Sequence, residues 1–576
     1  MKSIFTFFAF LLLFSLKIQA QNALFIPDTL SGTEFHLKVQ AATHEFYKGF
    51  KTETFGISAD YLAPTLLIKK GDFISMYVEN GFEEDTTTMH WHGFHIAPEH
   101  DGGPHTPIAP KEIWKPKFKM LNSAGTYWYH PHLHEHTNLQ VSKGALGMII
   151  VRDNEEAALP LPRQYGIDDI PLILQTKPFN NAKQMPLNSH QDSVPLVNGT
   201  RLATFNAPAQ VLRFRLLNAS SDRTYLIGFS NNLPFYLIAT DGGLVEKPVP
   251  LTRIRLSVGE RAEILINLTG KEGQKIDLKS FASELPNGII GAASVGMGMV
   301  QLEGYAGNAL NGKDFNFLKI NVLATNAKAI TSIPTKLVTL SHPSVSDAKE
   351  TRTLTFSPEG GAGVGMANMV NGPFQINKQS FEMETINYTI PLDNTEVWTL
   401  NNQTMVAHPF HIHDVEFWLL ERDGKAVPAS EQGWKDVVLV SPMSTVKFIT
   451  TFSDFANPDV PYMYHCHILV HEDEGMMGQF IVKAKSTATE ENNAINAVKI
   501  TPNPINNDLN LKATFTNNND VKVQIFNVLG AKMFEQNYAN TVYLNTMIDC
   551  QNFTNGIYFV KINQGNSFKT LKFVKE

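Results

Sequence analysis

The chain is short of cysteine, of charge and of long apolar runs, and each shortage excludes a class of protein. Two cysteines in 576 residues, Cys466 and Cys550, cannot build a disulfide framework. Charged residues make up 18% against 43% apolar residues, so the chain can fill several cores and is not disordered. The 48 Lys and Arg do not outnumber the 55 Asp and Glu, which leaves no basic footprint for nucleic acid. After the first twenty residues no stretch approaches the ~20 consecutive apolar residues of a spanning helix, so no membrane span is expected in the mature chain. No repeat with a period of about 20 to 50 residues is present, which excludes a solenoid.

Residues 1–20 carry Lys2, an apolar run over 4–14 and then Ile18-Gln19-Ala20. A basic start, an apolar stretch too short to span and a small closing residue read as a secretory signal peptide. Between 21 and 485, runs such as TLLIKKGDFISMYVEN, QVLRFRLLNAS and IRLSVGERAEILINL are apolar over strand lengths and are separated by Gly-Asp, Asn-Gly and Gly-Glu turns. The expected fold class is therefore all-β, built of sandwiches or barrels. At roughly 150 residues each, three units are expected at 21–155, 156–328 and 329–485. The polar stretch 486–498 reads as a linker. Residues 499–576 read as a small β-sandwich.

Histidine is what the chain has in abundance. Of 19, nine lie between His90 and His136 and six between His408 and His471. Four groups stand out: His90-Trp91-His92-Gly93, His130-Pro131-His132, His408-Pro409-Phe410-His411-Ile412-His413, and His465-Cys466-His467 followed by His471 and Met476. On a strand, each His-x-His pair puts two imidazoles on one face about 6.6–6.8 Å apart, a spacing suited to two neighbouring metal ions. Cys466 faces the other way from His465 and His467, so a metal on the thiolate and another on the imidazoles would be joined by a short covalent path. His408, Cys466, His471 and Met476 supply the two histidines, cysteine and weak thioether of an electron-transfer copper site. Zinc, the rival, has no use for Met476 or for so many histidines.

These groups, with HCHILVHEDEGMMGQF, LRFRLLNASSDRTYLIGF and VGERAEILIN, resemble the three-domain multicopper oxidases, the family of laccases, cuprous oxidases and bilirubin oxidases. The resemblance implies three cupredoxin-like Greek-key domains and four copper ions. It implies a type 1 copper on His408, Cys466, His471 and Met476, and a type 2 copper on His90 and His411. It gives the type 3 pair to His92, His130, His132, His413, His465 and His467. Single electrons from a phenolic, aromatic or metal-ion reductant would enter at the type 1 site and pass through Cys466 to His465 and His467. There O₂ would be reduced to water, with Asp101 and Glu472 relaying protons. A copper-tolerance cuprous oxidase is the alternative, and a non-enzymatic copper-binding or assembly protein on the same fold the remote one. Against the cuprous reading stand the lack of a dense methionine insertion and Thr404, where such enzymes can have an acid.

His95, His100, His105, His134 and His136 match no ligand position and are expected as exposed loop residues. Met297, Met299, Met366 and Met369 sit in two Gly-rich stretches and are expected to pack, with a cuprous entry site as the other reading. Thr501-Pro502-Asn503-Pro504, the segment 525–530 and the segment 556–560 resemble the C-terminal sorting domain of type IX secretion. That resemblance implies export via the periplasm, recognition by the type IX machinery and a secreted or cell-surface protein. A monomer is expected, because one chain supplies every ligand.

Overall fold

A computed structural model describes residues 21–576 except 327–328, 362–364, 485–494 and 566, and except the side chain of Met297. The signal-peptide stretch 1–20 lies outside the described residues. The chain divides into two compact units, Met1–Ala484 and Lys485–Glu576.

The first unit contains three β-sandwiches. In the first, one sheet runs Phe50–Ile57, Glu34–Tyr47, Phe73–Asn80, Ile113–Trp114, with Lys117–Lys119 also on Phe73–Asn80; the other runs Thr29–Ser31, Thr65–Lys69, Gly147–Arg152, Gly125–His130, His90–His92. Alternation builds it: along Glu34–Tyr47, Phe35, Leu37 and Val39 turn inward to meet Leu66, Tyr127, Tyr129 and Ile149 of the facing sheet. The second sandwich packs a seven-stranded sheet on a six-stranded one. Its six-stranded sheet is completed by Asn22–Ala23, which pair in parallel with Ala203–Pro208. The opening residues of the segment expected as a first domain thus serve the second; two residues carry no periodic signal by which sequence could place them. The third packs Phe374–Ile376, Glu350–Pro358, Asn394–Asn402, Thr445–Phe452, Phe417–Arg422 and Trp434–Lys435 on Tyr388–Pro391, Met477–Lys483, Asn457–Cys466, His408–Ile412 and Val437–Val440.

A separate apolar cluster joins the sandwiches, with Trp128 from the first, Leu217 from the second and Leu469 from the third. The second unit is a sheet of five strands with its own core around Leu509, Val523, Val560 and Phe573. Its first strand is Ile495–Thr501, so the expected linker ends before Ile495, and 486–494 lies outside the described residues. The alternation of that strand starts inside a polar run, which hid it. Among the described residues no helix is long and apolar enough to cross a membrane.

Candidate metal centre

Strand pairing sorts the donors onto two faces. Where His408–Ile412 pairs with Asn457–Cys466, His411 opposes His465 and Phe410 opposes Cys466. Opposed residues share a face and sequence neighbours alternate, so Cys466 points with His408 while His465 points with His411. His471 comes from the short helix Leu469–Asp473 that follows. Cys466 Sγ lies 3.5 Å from His408 Nδ1 and 3.6 Å from His471 Nδ1. Met476 is fully buried in the same apolar cluster as Cys466. Its carbonyl accepts the Cys466 N–H at 3.0 Å and its own N–H donates to the His471 carbonyl at 2.8 Å.

On the opposite face His411, His413, His465 and His467 meet His90, His92, His130 and His132 of the first sandwich, all buried. His132 Nε2 is 3.2 Å from His465 Nε2, and His92 Nδ1 is 3.3 Å from His467 Nε2 and 3.5 Å from His130 Nε2. Ring centroids within the four His-x-His pairs are 5.8, 6.1, 5.1 and 5.3 Å apart. That is closer than the strand repeat, because the rings tilt toward a shared centre.

The protonation pattern fits metal ions. His90 Nδ1 donates to the Asp101 carbonyl at 2.9 Å, His411 Nδ1 to the Asp436 carbonyl at 2.8 Å and His413 Nδ1 to Asp101 Oδ2 at 2.7 Å. Each leaves a lone pair on Nε2, and all three Nε2 atoms are buried with no hydrogen-bond partner. Burial pushes His132, His408 and His467 down to about 3, so they stand as neutral imidazoles. Burial also pushes the Cys466 thiol well up, so its thiolate requires a cation beside it. Converging neutral imidazoles with orphaned lone pairs, and a thiolate between two more, form a set that suits copper.

Comparison with known proteins agrees. Family models described as "Multicopper oxidase" match residues 38–156 and 351–486. The "Multicopper oxidase mco" of Staphylococcus haemolyticus is 30% identical over 480 residues, covering 81% of this chain and 93% of that protein. The chain belongs to the multicopper oxidases. The bacterial laccase-like oxidase CueO from Ochrobactrum sp. superposes with a TM-score of 0.68 at 30% identity, over 79% of this chain and 99% of that one. The McoA multicopper oxidase of Aquifex aeolicus gives 0.70 at 29% identity, over 81% and 100%. The "Cell division protein FtsP" of Xenorhabdus nematophila is also similar, at 28% over 460 residues, 79% of this chain and 90% of that protein. A model described as "Secretion system C-terminal sorting domain" matches 499–576. The oxidase thus carries a sorting tail.

Both acids singled out from sequence stand at the histidine cluster of this oxidase. Besides its contacts to His90 and His413, Asp101 keeps a buried Oδ1 with no hydrogen-bond partner. Glu472 sits 3.4 Å from His132 Nδ1 and 3.1 Å from His465 Nδ1. Burial works to raise its carboxyl, yet the His132 and His465 imidazoles hold it well below the usual range. Sequence reasoning gave no role to Asp436, whose Oδ1 faces His92 Nε2 at 3.4 Å, or to Arg261, which pairs with Asp436. Arg261 stood in the VGERAEILIN stretch, but nothing in its spacing pointed at a metal. Thr404 was read as a departure; it takes the place of an acceptor, its Oγ1 lying 2.9 Å from His408 Nε2.

The loop histidines depart from expectation. Only His136 of the five is exposed. His105 Nε2 reaches Gln479 Oε1 at 2.7 Å, and His95 bridges Asp414 (2.8 Å) and Asp454 (3.0 Å), because these loops fold onto the third sandwich. Of the glycine-rich methionines, Met299 is fully exposed and Met366 about half exposed, so neither is packed as expected.

Proposed function

We propose that this oxidase takes single electrons from an aromatic reductant beside Cys466 and delivers them to O₂ at the histidine cluster. His408, Cys466, His471 and Met476 would hold a type 1 copper, and His90 and His411 a type 2 copper. His92, His130, His132, His413, His465 and His467 would hold a type 3 pair. When bound, the coppers supply one-electron redox chemistry and the four-electron reduction of O₂ to water. The observation that carries the reading is the strand end at Cys466: its thiol meets one donor set while the backbone neighbours His465 and His467 meet the other. Electrons therefore have a through-bond path of two residues. Asp101 and Glu472 each contact histidines of the cluster, and water formation consumes protons, so these two acids would deliver them.

A cavity of ≈ 80 Å³ reaches Val470, the residue before His471, and is also lined by Pro178, Pro186, Leu187, His190 and Asp222. His190 Nδ1 lies 2.7 Å from Asp222 Oδ2. The walls mix apolar side chains with polar and charged ones, Lys177 and Asp192 among them, and such a mixed lining suits an aromatic ring bearing a hydroxyl or amine. One chain contributes every donor, which supports a monomer, and the tail supports export by the type IX machinery to the surface or medium. Oxygen uptake by the copper-loaded protein, with a methoxyphenol and with Cu(I) in parallel, tests the reading. Fast uptake with the phenol, and a raised KM for it in Asp222→Ala, is expected. Fast uptake with Cu(I) alone would make this a cuprous oxidase and give Met299 and Met366 to substrate.

A further inference from the structure

The second sandwich supplies no histidine to the cluster, yet one of its arginines is built into it. Arg261 is fully buried and each of its five N–H bonds has an acceptor. Nε donates to the Thr126 carbonyl of the first sandwich at 3.1 Å. Nη1 donates to the Gly259 carbonyl at 3.1 Å and to Asp436 Oδ1 at 2.6 Å. Nη2 donates to the Asp241 carbonyl at 3.1 Å and to Asp436 Oδ2 at 2.5 Å. The fork therefore locks one carboxylate of the third sandwich against both others, with a bidentate geometry that lysine cannot copy.

That carboxylate is next to two of the cluster's imidazoles. His92 differs from its neighbours: His130 and His467 approach its Nδ1, not its Nε2. To present the Nδ1 lone pair it must carry its proton on Nε2, which is buried without a hydrogen bond; the acceptor nearest to hand is Asp436 Oδ1 at 3.4 Å, a charge contact longer than a hydrogen bond. The same residue's carbonyl takes the Nδ1 proton of His411 at 2.8 Å, which turns the His411 Nε2 lone pair inward. The His92 and His411 rings stack at 3.8 Å between centroids. With both oxygens held by Arg261, Asp436 is better suited to orient ligands than to be one.

We propose that Arg261 and Asp436 form a positioning pair that fixes opposite tautomers on two stacked ligands, Nδ1 of His92 and Nε2 of His411 facing the metals. This rests on the ligand reading above. In Asp436→Asn the NH₂ meets an Arg261 donor in either placement, because both oxygens accept from the fork, and in one placement it also meets His92 Nε2; the residue is therefore no longer clamped and its hold on His92 loosens. Groups that orient metal ligands typically change metal affinity by about 10–100-fold.

The test is copper titration of the full-length protein against a competing chelator. Total copper is counted beside the blue absorption of the Cys466 site and the electron paramagnetic resonance spectrum. Asp436→Asn and Arg261→Lys are expected to need roughly 10–100-fold more free copper to fill the histidine cluster, with the blue band intact. Glu156→Gln is the control. It also removes a buried carboxylate, paired to Arg213 at 2.6 Å, but touches no imidazole, and should fill like wild type. Normal filling of Asp436→Asn, or equal loss in Glu156→Gln, would overturn the proposal. A wild-type protein that fills only the Cys466 site would instead overturn the ligand reading, and the positioning role with it.

Discussion

At the scale of single residues, one hydroxyl prepares the cysteine site. Thr404 Oγ1 lies 2.9 Å from His408 Nε2 and 2.8 Å from Asn402 Oδ1, and the Asn402 amide is itself held by three carbonyls. Thr404 can give its proton to Asn402 Oδ1 or to the Val406 carbonyl, at 3.0 Å, which frees its oxygen to accept the His408 Nε2 proton and leave Nδ1 bare toward Cys466. Thr404→Val keeps the shape and removes the acceptor, orphaning a buried N–H. A loss of about 1–3 kcal/mol in the metal-free protein is expected. A shifted blue band in the loaded one should accompany it, and Thr404→Ser should restore both. Urea melts and visible spectra read this, and an unchanged band in the valine variant would remove Thr404 from the site. Met476 is argued separately: Met476→Leu loses only the weak ligand, so the blue colour should persist while the reduction potential rises in a redox titration.

At the scale of elements, the turns after the histidine strands matter as much as the strands. Gly93 ends the strand His90–His92 at φ +86°, and a Cβ there would lie 2.3 Å from Asp436 Oδ2 and 2.9 Å from Arg261 Nη2. Gly259, at φ +83°, passes so near His467 that a Cβ would fall 2.9 Å from its Cδ2. Gly93→Ala therefore suffers both a left-handed backbone strained by ~1–2 kcal/mol and a collision with the clamp on His92. Lower thermal stability and weaker filling of the histidine cluster are expected together. A variant that loses stability but fills normally would separate the turn from the metal site. The ten histidines and Cys466 that converge in the structure stood out in the sequence because they sit in short motifs, most of them on or at the end of a strand whose alternation sets their face, with His471 on the helix that follows. The sequence did not show Asp436, Arg261 or the cavity beside Val470. Those depend on segments from different sandwiches meeting, and no local spacing encodes that. The strands Asn22–Ala23 and Ile495–Thr501 were missed for a related reason: one is too short for a period, and the other starts inside a polar run.

At the scale of the whole molecule, the centre exists only while the first and third sandwiches stay together, and some of the ties between them are ionic. His95 of the first sandwich bridges Asp414 and Asp454 of the third. Burial opposes a charge on His95, but the two carboxylates raise it to about 10. Asp414 is pushed up to about 6 by burial, so the pair is fully charged only above that. A histidine raised in the folded state contributes its stability below its unfolded pKa of about 6.5, and loses it as pH climbs toward the folded value. His95→Gln should therefore destabilise the oxidase most near pH 6.5, and the gap to wild type should close by about pH 10. Urea melts of both proteins at the two pH values measure it. Asp454 is 59% exposed, so added salt should narrow the gap at the lower pH. A gap that stays constant with pH would mean that His95 holds the sandwiches by packing against Phe455 and not by charge.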